Sequence, residues 1–153
     1  MAEDCVFCKI VRGENQASRI YEDEDVMAFL DARPVNEGHT LVISRRHYEN
    51  VFQISDEELA NVFKIVKKVA TAVMKSEKAE GIRILQNNGK AANQVIFHFH
   101  VHIIPEYEGQ DRYRPRETSE RDELEKVAAR IREVVGLQAP SSSRSKRLAH
   151  LIK

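Results

Sequence analysis

The chain has 153 residues, enough for one domain with a single core. Its 24 Lys and Arg balance 24 Asp and Glu, so no bulk charge draws it to nucleic acid or to a membrane surface. No apolar run reaches the roughly 18 residues of a membrane span, and the start Met-Ala-Glu-Asp-Cys lacks the pattern of a secretory signal, so a cytoplasmic location is expected. The charge is uneven, because residues 137–153 hold four Lys or Arg and no acid, which leaves the rest at 20 basic against 24 acidic residues.

Cys5-Val-Phe-Cys8 contains the only two cysteines. Three readings of the pair stand side by side. A thioredoxin-like redox motif should follow a strand and open a helix, but few residues precede Cys5. A disulfide does not suit a reducing compartment. Half of a zinc site needs two more ligands, and the chain has histidines to offer. Two unpaired thiols complete the range. Val6, Phe7, Ile10 and Val11 are spaced as the apolar side of a short helical turn that Gly13 ends.

Short strands follow. Residues 18–22 read as one, and residues 26–31 as a second, with Val26, Ala28 and Leu30 on one face and Met27, Phe29 and Asp31 on the other. Asp31 is either a turn residue ahead of Pro34 or a polar group at a strand end facing a ligand. Gly38 to Ser44 is a third strand, opened by His39 and followed closely by His47. Ser55-Asp-Glu-Glu58 is a capping box, and Leu59, Val62, Phe63, Val66, Val69, Ala70 and Val73 form the apolar stripe of a long helix. Its lysines read as a solvated face. Residues 81–86 are another strand. Asn87 and Gln94 then flank a polar loop, built either as a simple Asn-Gly hairpin connection or to offer amide donors to a phosphate.

The stretch Phe97-His-Phe-His-Val-His-Ile-Ile-Pro105 carries the strongest pattern. On a strand, His98, His100 and His102 share one face, with ring spacing of roughly 6–7 Å, while Phe97, Phe99, Val101 and Ile103 turn toward a core. Pro105 is placed at the strand's end. Ser119-Glu-Arg-Asp122 reads as a second capping box, and Leu124, Val127, Ala128, Ile131 and Val134 as the stripe of a second helix stopped by Gly136. Residues 137–153 read as a basic, flexible tail. From residue chemistry alone the three histidines suit two uses. They could ligate a catalytic metal, or one neutral imidazole could attack phosphorus while its neighbours stabilise the charge that develops.

The run His98-Phe-His100-Val-His102-Ile-Ile resembles the signature of the histidine triad (HIT) superfamily. Phe7-Cys-Lys-Ile10, Ala28-Phe-Leu-Asp31, Gly38-His-Thr-Leu-Val-Ile, and Asn87-Asn-Gly with Gln94 resemble the same family in order and spacing. The likeness covers residues 5 to 107 and is nearest the small hydrolases that carry Cys-x-x-Cys. It implies an α+β fold: an antiparallel sheet of about five strands with one long helix and a second, C-terminal helix. The HIT domain would occupy residues 1–136, and the protein would be a homodimer.

The resemblance also implies a chemistry. His100 would attack the α-phosphate of a purine nucleotide resembling AMP, form a nucleotidyl-histidine and release a nucleoside monophosphate after hydrolysis. The carbonyl of His98 would hold Nδ1–H of His100, His102 would lie near the phosphate oxygens, and His39 would stand behind the triad. Asn87 and Gln94 would meet phosphate and Asp31 the ribose hydroxyls. Phe7, Ile10 and Phe29 would wall the base. Cys5, Cys8, His47 and His98 would bind a structural zinc. Phosphoramidate or dinucleoside polyphosphate hydrolysis, nucleotidyl transfer, and nucleotide binding with little turnover all use such a site. The family usually has Ser or Thr after the residue matching Gln94, where this chain has Val95, so assistance to the leaving group is the step in question.

Overall fold

The computed structural model describes residues 2–111 and 116–138. Five strands form one antiparallel sheet: β1 (Arg19–Glu22), β2 (Val26–Leu30), β3 (Thr40–Ser44), β4 (Gly81–Leu85) and β5 (His100–Glu106), in the order β1-β2-β3-β5-β4. Among the described residues three α-helices complete the fold, α1 (Val6–Val11), α2 (Asp56–Ser76) and α3 (Arg121–Gln138), with one short 3-10 turn at Lys90–Ala92. This is the α+β architecture that the resemblance implies.

Period-two alternation splits the sheet into two faces. Val26, Ala28, Leu30, Val42, Phe99, Val101 and Ile103 face α2 and α3, and with Val62, Val66, Val69 and Ile131 they make the main core. Met27, Phe29, Leu41 and Ile43 face the other way and join Phe7 and Ile10 of α1 in a second cluster. His100 pairs with Ile43 and His102 with Leu41, so both rings stand on this second face. Ser55 caps α2 by accepting the Glu58 N–H at 3.2 Å. The Glu58 carboxylate accepts the Tyr48 hydroxyl, which ties the loop carrying His47 to α2. Gly38 lies at φ +97°, and a Cβ there would meet Glu77 at 2.7 Å, so the turn into β3 requires glycine.

Several expectations are corrected. Phe97 is 44% exposed and Phe63 41%, so neither belongs to the core. Phe97 precedes the strand's first pairing, and Phe63 lies off the row formed by Val62, Ile65, Val66, Val69, Ala72 and Val73. Pro105 does not end β5. It pairs with Ile82 of β4, and this is tolerated because β3 stops pairing at Ile103, leaving no partner on that side for the missing N–H. The first bond of α3 runs from Leu124 N–H to the Glu120 carbonyl, one residue later than a Ser119 cap requires, while the Ser119 N–H donates to Ala32. Helix α3 passes through Gly136 to Gln138. Residues 112–115 and most of the basic tail, from residue 139, lie outside the described residues.

Candidate functional site

Residue His98, just ahead of β5, is buried completely. Its Nε2–H donates to the Ser44 carbonyl at 2.6 Å, and a carbonyl can only accept. The neutral ring therefore keeps its lone pair on Nδ1. That atom lies 3.3 Å from Cys5 Sγ, 3.5 Å from Cys8 Sγ and 3.2 Å from His47 Nδ1, and Cys8 Sγ is 3.4 Å from His47 Nδ1. Tetrahedral zinc, with Zn–S about 2.3 Å and Zn–N about 2.0–2.1 Å, sets neighbouring ligand atoms roughly 3.3–3.8 Å apart. The four donors fit that spacing and close on all sides, as a structural site does. Burial and the neighbouring Cys5 push the Cys8 thiol up to about 11. A bound cation reverses that preference by stabilising thiolate.

On the other side of the same residue, the His98 carbonyl accepts Nδ1–H of His100 at 2.6 Å. This leaves the His100 Nε2 lone pair directed away from the backbone. A second chain of bonds runs alongside. The Val35 N–H donates to His39 Nδ1 at 3.0 Å, so neutral His39 carries its proton on Nε2. His39 Nε2–H donates to His102 Nδ1 at 3.0 Å, and the Asp31 carboxylate lies 3.6 Å from His39 Nε2. His102 then carries its own proton on Nε2. Burial lowers His39 to about 3 and His102 to about 4, and it also lowers His100, so all three rings are neutral near pH 7.

These rings line a cleft of about 1010 Å³. Phe7, Ile10 and Phe29 form its apolar wall; Phe7 meets Phe29 edge-on at 5.5 Å and His100 at 5.1 Å between ring centres. Asp31, Asn87 and Val95 also line it. The cleft thus sets an uncharged imidazole lone pair beside an apolar slot and a polar end. A family model described as the HIT domain matches residues 12–109.

The chain belongs to the HIT family. It is similar to a histidine triad nucleotide-binding protein from Sulfolobus tokodaii (42% identity, TM-score 0.81, covering 86% of this chain and 91% of that one). A Zn-bound histidine triad protein from Mycobacterium smegmatis is similar as well, with 35% identity, TM-score 0.80, and coverage of 90% and 97%. Adenylylsulfatase HINT3 of Arabidopsis thaliana is 40% identical over 108 residues, which are 71% of this chain and 55% of that protein.

Most of the HIT residues named from sequence fall into the two groups just described. His98 lies in the cysteine cluster and not on the cleft wall. Gln94 does not line the cleft either. Its amide oxygen accepts the Gly89 N–H at 2.7 Å, and its Nε2 donates to the carbonyls of Glu49 at 2.6 Å and Ile96 at 3.1 Å. A buried amide must satisfy its hydrogens and its oxygen, and the loop backbone does so first. Sequence reading also missed contributors that are backbone groups: the Ser44 carbonyl and the Val35 N–H carry no side-chain signal. Arg33, Arg116 and Arg121 line the cleft from irregular or helix-start positions, where no periodicity marks them.

Proposed function

We propose that the protein is a nucleotide hydrolase that cleaves at the α-phosphate through a covalent nucleotidyl-histidine on His100. The carrying observation is the bond from His100 Nδ1–H to the His98 carbonyl, which fixes the tautomer and frees Nε2. In the proposed pose the base of an AMP-like purine nucleotide lies against Phe7, Ile10 and Phe29. Asn87 meets the phosphate, and Gln94 braces the loop that carries it. His102 presents Nε2–H to a phosphate oxygen, held in that tautomer by His39. His100 Nε2 attacks phosphorus as the leaving group departs. Water then attacks the same phosphorus, releasing the nucleoside monophosphate and restoring His100. The adenylylsulfatase relative supports an adenylyl substrate.

Zinc is the proposed ion for Cys5, Cys8, His47 and His98. With no open position, its chemistry would be structural: it ties α1 and the His47 loop to the start of β5. A homodimer is part of the same reading. The edge strand β4 leaves Ile84 and Leu85 substantially exposed, which suits a second copy continuing the sheet. Among the described residues no helix is long and apolar enough to cross a membrane. The cytoplasmic placement remains part of the proposal, as does the division into a domain at 1–136 and a tail.

The test is rapid mixing with adenosine 5′-phosphoramidate and with diadenosine triphosphate, read by intact-protein mass and by AMP release. Wild type should show a transient AMP adduct. His100→Ala should show none, with turnover lower by about 10⁴-fold or more. AMP release without an adduct, or turnover surviving in His100→Ala, would discard the covalent mechanism. Nucleotide binding with no turnover of either substrate would make the protein a binder instead, a reading that the exposed Val95 on the cleft wall favours.

A further inference from the structure

The ribose end of the cleft is unlike a bare carboxylate site. Asp31 Oδ1 accepts the Arg33 N–H at 2.9 Å, and Asp31 Oδ2 accepts Nη2–H of Arg116. Arg116 Nε donates to the Arg33 carbonyl, Arg33 Nη2 donates to the Arg116 carbonyl at 3.3 Å, and the Ser119 N–H donates to the Ala32 carbonyl at 2.9 Å. The segment ahead of α3 is therefore fastened onto residues 31–33 by both backbone and side chains. Arg121, in the first turn of α3, lines the same cleft. Among the described residues Asp31 is the one acid on the cleft wall, against Arg33, Arg116 and Arg121. Glu37 and Glu123 line a neighbouring depression that shares Asp31 with the cleft, and Glu125 lines one that shares Arg121.

A bare carboxylate accepts ribose hydroxyls and repels a phosphate attached to them. An arginine beside that carboxylate changes the preference, as in dinucleotide sites that accept a ribose phosphate. Guanidinium groups suit the task because their planar forks match phosphate oxygens in pairs. Arg116 uses Nε and Nη2 on the protein, and among the described residues no hydrogen bond uses its Nη1. The cleft wall itself carries three guanidinium groups against one carboxylate, which leaves cationic donors beyond the one that Asp31 engages.

We propose that Arg116, with Arg33 and Arg121, makes the ribose end of the cleft a site for a nucleotide bearing a second phosphate on its ribose 2′ or 3′ hydroxyl. The proposal rests on the nucleotide reading of the cleft. It names the substrate class more closely: an adenylyl compound whose ribose is itself phosphorylated.

Calorimetric titration of the full chain, zinc-loaded and at fixed ionic strength, tests it. The probes are AMP, ADP, adenosine 2′,5′-bisphosphate and adenosine 3′,5′-bisphosphate, with ADP controlling for the added charge. One bisphosphate should bind about tenfold or more tightly than both AMP and ADP, and the tighter isomer names the hydroxyl. In Arg116→Gln that advantage should fall below about threefold, and Arg121→Gln should reduce it on an intact Arg116–Asp31 pair. Bisphosphates binding no tighter than AMP, or a preference untouched in both variants, would overturn the proposal and leave the nucleotide reading standing. No binding of any of the four probes would overturn both.

Discussion

Two histidine clusters flank the beginning of β5, and they differ in how their ring nitrogens are used. Around Cys5, Cys8, His47 and His98, four ligand atoms lie within 4.8 Å of one another and converge on one place. Around Asp31, His39 and His102, donors and acceptors alternate in a chain that begins at the Val35 N–H. Among the described residues the four atoms of the first cluster reach mainly one another, and two thiols with two imidazoles at that spacing suit a cation between them. An alternating chain is already satisfied. A metal on His39 Nε2 would have to displace the proton that the Val35 bond places there, leaving an imidazolate. The lesson is that three ligand-type side chains within reach of each other do not make a metal site; the direction of each proton decides. His98 belongs to both worlds, since its ring serves the first cluster and its carbonyl orients His100.

The sharpest way to break this comparison is to remove a thiol. Cys5→Ser should abolish the bound zinc, expected at one per chain in wild type, and lower the melting temperature by about 10 °C, on the scale of a lost metal ligand in a domain of this size. Turnover should fall as well, because His98 is released and its carbonyl no longer fixes His100. His100→Ala and His39→Ala should keep their zinc. Metal that persists in Cys5→Ser but disappears in His39→Ala would reverse the assignment of the two clusters.

Acid should strain the second cluster, in a sense that follows from burial. His102 titrates near 4 in the folded protein and His39 near 3, against 6.5 when exposed. Between those values the unfolded chain holds protons that the folded one does not. Stability is therefore complete above about pH 6.5 and falls as the pH drops toward 4, with an upper limit of roughly 3 kcal/mol for a group moved that far. Urea unfolding from pH 7.5 to 4.5 would read the slope. A flat profile would show that these rings are solvated. In His39→Ala the slope should shrink, while in Cys5→Ser the part owed to His39 and His102 should survive.

How far the sequence disclosed this arrangement depends on who supplies each bond. The two faces of β2, the stripe of α2 and the inward positions Phe99, Val101 and Ile103 follow from period, so they are legible. The cysteine cluster was legible as candidates, but spacing alone left redox, disulfide and metal readings open. Only the folded chain brings His47 and His98 to the same point. Gln94 looked like a ligand group and is a brace. Arg116, which no sequence pattern marks, lies on Asp31. Both misses have one cause: a polar side chain's role depends on which backbone groups reach it first, and that is tertiary information.

A smaller change tests the second cluster from within. His39→Ala leaves the Val35 N–H and His102 Nδ1 without their partner, each at a cost of roughly 1–3 kcal/mol in a buried setting. His102 is then free to change tautomer. Turnover should fall by about tenfold to a hundredfold with zinc content unchanged. His39→Gln, which can still accept and donate, should recover part of the loss. Equal loss in both variants would mean that His39 only fills space.

The smallest expected effect is at Val95, which is 83% exposed and lines the cleft beside the loop braced by Gln94. Val95→Ser buries nothing new and should shift stability by no more than about 0.5 kcal/mol. Its hydroxyl would matter only where a leaving group needs a proton. An amine leaving a phosphoramidate must be protonated as the P–N bond breaks, whereas a polyphosphate leaves as a stable anion. Single-turnover rates in Val95→Ser should therefore rise about threefold to tenfold with adenosine 5′-phosphoramidate and change little with diadenosine triphosphate. A rise of the same size with both substrates would place the hydroxyl on the transferring phosphate. No rise with either would mean that Val95 does not face the departing atom, and that the donor for it must come from His102.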